Sequence, residues 1–201
     1  MREYLRSLRW IDYYFLVLTE PRKLAVLFPR EEKASFTMGF ITLALVALFD
    51  ILSVSLLGRQ TAHFYDRISY GWVFSFILLA LQVAVLASLI DAACQLLGKG
   101  GNVKRLVALL SFALFPRTLL LPLVFIVRVL NFAPYFFFVF FSLGLTVWSA
   151  LIAVQGIAEI NSIGTGRSLT ALLLPFVFVG LSLFFLALLG VLNLAGYLSS
   201  I

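Results

Sequence analysis

Cysteine, histidine and charged side chains are all scarce in this chain, and each shortage excludes a class of protein. The single cysteine, Cys94, excludes an intrachain disulfide framework and any metal site built from several cysteines. The single histidine, His63, excludes histidine pairs, so zinc-hydrolase and haem sites lose their usual ligands. Charged residues make up only 12% of the chain and hydrophobic residues 63%, which is too apolar for a soluble core of this size. We therefore expect an integral membrane protein with no cofactor and no metal.

Five apolar stretches fill most of the 201 residues. A helix needs about 20 residues to cross the hydrocarbon core of a bilayer. Continuous apolar runs joined by short polar turns predict antiparallel helices, whereas a membrane barrel requires alternating strands. The predicted fold is an all-α membrane protein, a five-span transmembrane helix bundle over residues 35–201 with an N-terminal amphipathic interfacial helix in residues 1–34. The predicted spans are Ser35–Leu57, Gly71–Leu97, Leu106–Val127, Tyr135–Ile157 and Leu169–Tyr197.

The N-terminal segment is predicted to lie on the membrane surface. At 3.6 residues per turn, its apolar side chains fall on one face and its charged side chains on the other. The apolar face comprises Tyr4, Leu8, Ile11, Phe15 and Leu18; the charged face comprises Arg2, Arg6, Arg9 and Asp12. We expect the neighbouring aromatic residues Trp10, Tyr13 and Tyr14 at headgroup level. The short apolar run is unlike a cleavable signal peptide, so the segment is predicted to be a membrane anchor or, alternatively, a helix that binds a protein partner.

The distribution of basic residues predicts the orientation in the cell membrane. Eleven of the 15 Lys and Arg residues lie in the first 34 residues and in the connections after the second and fourth spans. Only Arg59, Arg67 and Arg128 lie in the opposite connections. Basic residues are enriched on the cytoplasmic side of membrane proteins, so we predict a cytoplasmic N-terminus and an external C-terminus. Orientation also accounts for the net positive charge, so no nucleic acid partner is expected.

Three charges lie inside the apolar spans: Asp50, Asp91 and Arg117. A charge at a helix centre costs roughly 2.5 to 3.5 kcal/mol on insertion scales, so such charges are usually paired or functional. Asp50 and Arg117 are predicted at similar depth, roughly 18 to 22 Å from the cytoplasmic edge, which favours an ion pair between them. For Asp91 we expect pairing with Lys99 or Lys104, or a water-filled vestibule. A bundle-locking pair is the leading interpretation, and a binding site or ion pathway is the alternative.

Small residues and prolines predict how the spans pack. Small side chains recur about every four residues in two spans, which allows close approach of another helix within one chain or in a homo-oligomer. They are Ala80, Ala84, Ser88 and Ala92 in the second span and Ser142, Thr146, Ala150 and Ala153 in the fourth. Pro116 and Pro122 should bend the third span near Arg117, and Pro175 the fifth. Gln155 and Glu159 share a neighbouring face of the fourth span with Trp148 and complete the candidate intramembrane polar site.

Several short motifs together resemble the Yip family of membrane domains, the Ypt-interacting proteins. They are Gly100-Gly101, Phe112-Ala113-Leu114-Phe115-Pro116, Trp148 with Gly156, and Thr165-Gly166-Arg167. The resemblance implies five spans. Eukaryotic members are associated with Rab or Ypt GTPases and carry a longer cytosolic N-terminal region with a Tyr-Gly-Pro motif. The 34 residues before the first predicted span lack that motif, so the chain resembles prokaryotic members and GTPase binding is not carried over.

Three functions are compatible with these patterns. The first is a non-enzymatic scaffold or adaptor that organises lipids or partner proteins. The second is a small-solute or ion transporter or channel that uses Asp50, Asp91 and Arg117. The third is an intramembrane enzyme, which is disfavoured because the hydrolase, zinc-protease and phosphate-loop motifs are absent. We expect the lipid bilayer to be one partner; a protein partner at the N-terminal helix and a second copy of the chain are further alternatives.

Overall fold

All regular structure in the described part of the chain is helical. The computed structural model describes residues 14–23, 32–57, 64–98, 102–131 and 133–199, with side chains over 14–23, 35–57, 70–98, 102–131 and 133–189. The predicted Yip motif glycines Gly100 and Gly101, and Lys99, lie outside these ranges. The helices are α1 (Glu32–Leu57), α2 (Phe64–Leu96), α3 (Val103–Ala113), α4 (Leu120–Leu130), α5 (Pro134–Ile160) and α6 (Thr165–Ser199), and a 3₁₀ turn (Phe115–Leu119) joins α3 to α4.

Five segments of the described chain are long and apolar enough to cross a membrane, which confirms the predicted fold class. The third consists of α3, the 3₁₀ turn and α4. The five segments are Ser35–Leu57, Tyr70–Leu96, Val103–Leu130, Pro134–Ile160 and Thr165–Leu189. The predicted bounds agree closely for the first four, whereas the fifth begins four residues earlier than Leu169.

Three residues define helix ends in this bundle: Asn102 at the start of α3, Asn131 at the end of α4 and Pro134 at the start of α5. The side chain of Asn102 accepts the backbone N–H of Arg105 at 3.2 Å and so caps the start of α3. Asn131 ends α4 in the left-handed conformation, with φ of 49°, which asparagine tolerates better than most residues. Pro134 then begins α5, where its missing N–H is not needed. These caps confine the turns to the ends of the spans.

The first and third spans form the centre of the bundle. α1 packs against α2, α3, the 3₁₀ turn and α4, and α5 packs on the other side of the third span. α6 packs against α2 and α5 and is the most exposed, since only 11% of its span is buried, against 44% of the third span. The exposed apolar side chains of α6 are therefore suited to contact with lipid or with another apolar surface. We call the end where α1 begins the Ser35 end, and the end where it finishes the Leu57 end.

Close helix contacts in the Ser35 half depend on two glycines. A Cβ on Gly156 of α5 would lie 2.2 Å from Cδ1 of Leu109 in α3, and one on Gly39 of α1 would lie 3.3 Å from Cβ of Ser111. Leu109 is fully buried, so it cannot turn into open space. The absence of a side chain at Gly156 therefore sets the distance between α3 and α5.

The predicted small-residue stripe of α2 does not form the packed face. Ala84, Ser88 and Ala92 are exposed, and the residues packed in the core lie on another face of the helix. The buried residues are Val83, Ala87, Ile90, Ala93 and Cys94. Two of these buried residues are themselves alanines, whereas Leu81 and Val85 are exposed, so the neighbouring helices and not side-chain size decide which face of α2 is packed. In α5 the predicted ridge is partly buried: Ala153 is in the core, whereas Thr146 is exposed.

The described part of the N-terminal segment packs onto the bundle. Residues 14–19 form a short helix in which Val17 is fully buried. The ring of Tyr14 lies 4.4 Å from that of Phe115 and 6.4 Å from that of Phe112, measured between centroids. Tyr14 was expected at headgroup level, and the structure adds that its ring packs on the third span, where stacking buries apolar area. The remaining predicted face, from Tyr4 to Ile11 with Trp10 and Tyr13, lies outside the described residues.

Candidate intramembrane site

A break in the third span positions Arg117. Pro116 has no backbone N–H, and α3 ends at Ala113, three residues before it. The chain continues as a 3₁₀ turn in which the N–H of Arg117 donates to the carbonyl of Leu114 at 3.0 Å. The predicted bend near Arg117 is therefore confirmed as a change of helix type. In α6, by contrast, helical structure continues through Pro175.

Arg117 and Asp50 form the ion pair that their predicted depths indicated. Nη2 of Arg117 lies 3.1 Å from Oδ2 of Asp50, so the pair connects the 3₁₀ turn to α1. The contact involves one oxygen of the carboxylate. Oδ1 of Asp50 has no hydrogen-bond partner within the described chain. The side chains retain 31% exposure for Arg117 and 21% for Asp50, so the pair is also accessible from one side.

That accessible side is a cavity of about 360 Å³ between four of the spans. α1 and the third span contribute the ion pair, and α2 and α5 face it. The apolar part of the wall includes Ile51, Leu120 and Phe138. The polar part consists of Asp50, Arg117, Ser55, Ser75 and Ser142. A charge pair and three hydroxyl-bearing side chains thus share one cavity within the apolar spans.

Ser55 is the most deeply buried polar residue of the cavity wall. Only 8% of it is exposed, and its Oγ has no hydrogen-bond partner among the residues with described side chains. Four other helix serines donate to the carbonyl four residues before them, as Ser53 does to Phe49 at 2.7 Å. A buried hydroxyl without a partner is unfavourable, so Ser55 is available for a hydrogen bond to a molecule in the cavity.

Comparison with known protein families matches almost the whole described bundle. The sequence model of the Yip1 domain covers residues 15–188. This chain belongs to the Yip1 domain family. No curated protein and no solved structure matches it. The resemblance expected from the sequence motifs is therefore confirmed, and the cavity lies within the matched domain.

The motif residues of this Yip1 domain have different structural roles. Pro116 is buried where the third span breaks, and Gly156 provides the close approach to Leu109. Trp148 is 38% exposed on α5. Gly166 and Arg167, in the first turn of α6, are exposed, and a Cβ on Gly166 would meet no atom within 4 Å. Pro116 therefore shapes the cavity, and Gly156 shapes the packed core.

Asp91 lies apart from the cavity. It is 4% exposed, and its Oδ2 accepts a hydrogen bond from Nε2 of Gln95 at 2.7 Å. The predicted pairing with Lys104 was wrong, since an amide one turn along α2 fills that role. Oδ1 has no hydrogen-bond partner within the described chain, and Lys99 falls outside that part. The nearly complete burial also argues against the predicted water-filled vestibule.

Gln155 and Glu159 do not join the cavity either. Gln155 is half-buried and Glu159 exposed, and neither lines the cavity of the ion pair. Of the five predicted polar residues, the structure therefore brings together only Asp50 and Arg117. Within the described residues, no group of three or more His, Cys, Asp or Glu side chains could hold a metal ion.

The sequence prediction missed Ser55 and Ser75, and it assigned Ser142 to a packing ridge. A depth argument extended to hydroxyl residues would have found them. Ser55 and Asp50 share α1, and Ser75 and Ser142 each lie within two or three turns of the start of their span. Serines in the same half of three spans are a weak signal of a shared polar cavity.

Proposed function

We propose that this Yip1 domain protein is a non-enzymatic scaffold or adaptor of the cell membrane that organises lipids or partner proteins. The observation that carries the proposal is the ion pair between Asp50 and Arg117. The two charges neutralise each other across two spans, which fixes the bundle and leaves no row of charges across the membrane. Asp91 lies outside the cavity, and its carboxylate accepts a hydrogen bond from Gln95. The two carboxylates are therefore not arranged as a catalytic pair.

The N-terminal segment supports a role in contacting partners. Tyr14 and Val17 pack on the bundle, while Phe15 is 65% exposed and Arg22 is also exposed. An exposed aromatic residue on a segment that is held in place provides a defined contact surface for a protein or a lipid headgroup. The basic residues in and near this segment favour its placement on the cytoplasmic leaflet, with the C-terminus outside.

Transport of a small solute or ion is the second candidate, and the accessible cavity favours it. Arg117 and Asp50 are both partly exposed to a space of about 360 Å³. A transport path also requires polar residues that continue through the other half of the bundle. Asp91, the only other predicted intramembrane charge, does not line that cavity. The scaffold is therefore the better supported proposal.

Flux through liposomes separates these candidates. The purified chain is reconstituted, and the fluxes of protons, Na⁺, K⁺ and Cl⁻ are compared with those of protein-free vesicles and of the Asp50→Asn and Arg117→Gln variants. For a scaffold we expect the wild-type flux to equal that of empty vesicles. A wild-type flux that falls in both variants while the fold remains intact would overturn the scaffold.

Photo-crosslinking gives the scaffold a positive test. A photoreactive phenylalanine analogue at Phe15 should yield a discrete adduct to a lipid or a protein in intact cells. The same analogue at Val17 is the matched control, because that position is fully buried and should not react outside the chain. Equal adduct formation at both positions, or none at either, contradicts the proposed contact surface.

A further inference from the structure

The cavity beside the ion pair has polar groups that the bundle itself does not use. Oδ1 of Asp50 and Oγ of Ser55 are both buried without a hydrogen-bond partner in the described chain; their residues line the cavity, so a side-chain rotation would present either atom to it. We propose that this cavity binds the headgroup of a zwitterionic phospholipid that carries a primary ammonium and a phosphate, as phosphatidylethanolamine does. The inference rests on the proposed function, since it names the lipid that the scaffold would hold.

Charge balance selects a zwitterion. Asp50 and Arg117 together carry no net charge, so an anion bound to Arg117 alone would compete with Asp50 and leave the carboxylate unpaired. A cation bound to Asp50 would leave Arg117 unpaired in the same way. A headgroup with both charges pairs its phosphate with the guanidinium and its ammonium with the free oxygen of the carboxylate. Each of the four charges then has an opposite partner.

The depth of the cavity suits a lipid headgroup. Ser55 and Asp50 lie two and seven residues before Leu57, and Ser75 and Ser142 lie five and eight residues after the starts of their spans. At 1.5 Å per residue these positions are roughly 3 to 12 Å from the Leu57 end. The cavity therefore lies in the half of the bilayer next to the Leu57 end, inside the headgroups of one leaflet, so a lipid of that leaflet would reach it by drawing its headgroup inward. A soluble ligand would instead need a path from the aqueous phase.

The size and wall of the cavity fit part of an amphiphile. A volume of about 360 Å³ falls at the lower end of ordinary ligand pockets, which is enough for a headgroup but not for a whole lipid. Apolar side chains such as Val54, Leu120 and Phe138 continue the wall beside the polar groups. The glycerol and acyl chains would follow this apolar wall between α2 and α5 into the bilayer.

Hydrogen bonds determine which headgroup the cavity prefers. A change of χ1 rotamer would turn the buried Oγ of Ser55 toward the cavity, where it can donate to a phosphate oxygen. A primary ammonium donates hydrogen bonds to Oδ1 of Asp50, whereas the quaternary ammonium of phosphatidylcholine has no N–H to donate. Phosphatidylglycerol supplies the phosphate without any ammonium. The cavity should therefore prefer phosphatidylethanolamine to both.

Native mass spectrometry of the full chain in mild detergent tests this preference. The wild type is titrated with phosphatidylethanolamine, phosphatidylcholine and phosphatidylglycerol of identical acyl chains. We expect phosphatidylethanolamine to bind about tenfold more tightly than the other two, because it alone completes both charged hydrogen bonds. Soluble phosphoethanolamine forms the second arm. If it displaces the lipid at equal concentration, the ligand is the free phosphoester and the lipid assignment is overturned.

Substitutions in the cavity wall test whether the lipid binds in the cavity. Ser55→Ala and Ser142→Ala leave the ion pair intact and should each weaken phosphatidylethanolamine binding by roughly tenfold, the lower end for a hydrogen bond to a charged group. Asp50→Asn should remove the preference over phosphatidylcholine. Ser88→Ala, on the exposed face of α2 and outside the cavity, is the matched control and should bind as the wild type does.

Two results would overturn the inference. One is equal binding of the three lipids by the wild type, which is also the result expected if only water fills the cavity. The other is wild-type binding by the Ser55 and Ser142 variants when they melt as cooperatively as the wild type. Neither result affects the flux or crosslinking tests, so the scaffold could stand while this lipid site failed.

Discussion

The two halves of the bundle are held together by different forces. The Ser35 half contains the larger apolar core, which extends from Val17 and Leu43 to Ile157, and its helices approach closely at Gly156. The Leu57 half contains a small cluster around Leu120 and Val124, and beside it the cavity with its ion pair. Each half also has one aspartate inside a span: Asp50 is partly exposed, and Asp91 is buried. Asp50 pairs with Arg117 beside the cavity, whereas Asp91 accepts a hydrogen bond from Gln95 in the packed half.

The difference between the two halves predicts which kinds of substitution each half tolerates. In a packed interior, a substitution that changes side-chain volume lowers stability, because neighbouring side chains cannot move to accommodate it. A half that contains a cavity tolerates changes in volume but depends on charge and hydrogen bonds. We therefore expect a bound molecule in the Leu57 half and rigid support from the Ser35 half. The following predictions test this division, from the largest expected effect to the smallest.

Removing the charge of Asp50 should have the largest effect. Asp50→Asn leaves Arg117 without an anionic partner inside the membrane, so the free energy of unfolding should fall by about 2 to 4 kcal/mol, less than for a fully buried pair because Arg117 is partly exposed. Unfolding in mixed micelles measures this loss. A double-mutant cycle with Arg117→Gln should show coupling between the two positions. Additive losses within about 0.5 kcal/mol would mean that the pair makes no stabilising contact.

A methyl group at Gly156 should have the next largest effect. Gly156→Ala places its Cβ against Leu109 in the packed half, where the predicted loss of stability is about 1 to 3 kcal/mol. Gly144→Ala, in the same helix, is the matched control, since a Cβ there would meet no atom within 4 Å. The same mixed-micelle measurement should find Gly144→Ala unchanged or more stable. Equal losses at both positions would show that the contact with Leu109 does not set the result.

Tyr14 should contribute less, because only part of its ring is buried. Tyr14→Ala removes the contacts with Phe112 and Phe115 and should cost about 1 to 2 kcal/mol. It should also release the N-terminal segment, which limited proteolysis near Arg22 detects. Tyr14→Phe keeps the ring, so its cleavage should match that of the wild type. Rapid cleavage of the wild type itself would contradict packing of this segment on the bundle.

The sequence predicted the spans well because their signal is local. Twenty apolar residues and a short polar turn define a span without reference to the rest of the fold. The ion pair was also predictable, since residue counts give similar depths for Asp50 and Arg117. The orientation of α2 was not predictable from its small residues, because the face that is buried depends on which neighbours supply apolar area. Pairing of Tyr14 with Phe115 likewise depends on a contact across 101 positions of the chain.

The cavity was the least predictable feature. Its serines lie on three different helices, and only the packing of four spans decides which of them meet. The partner of Asp91 was missed for a related reason. Lys104 offered a charge at a plausible depth, but Gln95 lies one turn away on the same helix and reaches the carboxylate at 2.7 Å. A local donor requires no rearrangement between helices, so it prevails over a distant cation.

The smallest effect is expected at Asp91, although it is more deeply buried than Asp50. Asp91→Asn keeps an oxygen that accepts from Gln95, and it removes a carboxylate that has no cationic partner in the described chain. The cost of a new buried N–H group and the gain from removing a buried charge oppose each other, so stability should change by less than about 1 kcal/mol. Thermal unfolding beside Asp50→Asn under the same conditions measures the difference. Gln95→Ala removes the donor and serves as the control. It should lower the stability of the wild-type chain more than it lowers that of the Asp91→Asn variant. A loss at Asp91→Asn as large as that at Asp50→Asn would mean that a cation reaches the packed half as well, and that charge, not packing volume, governs both halves.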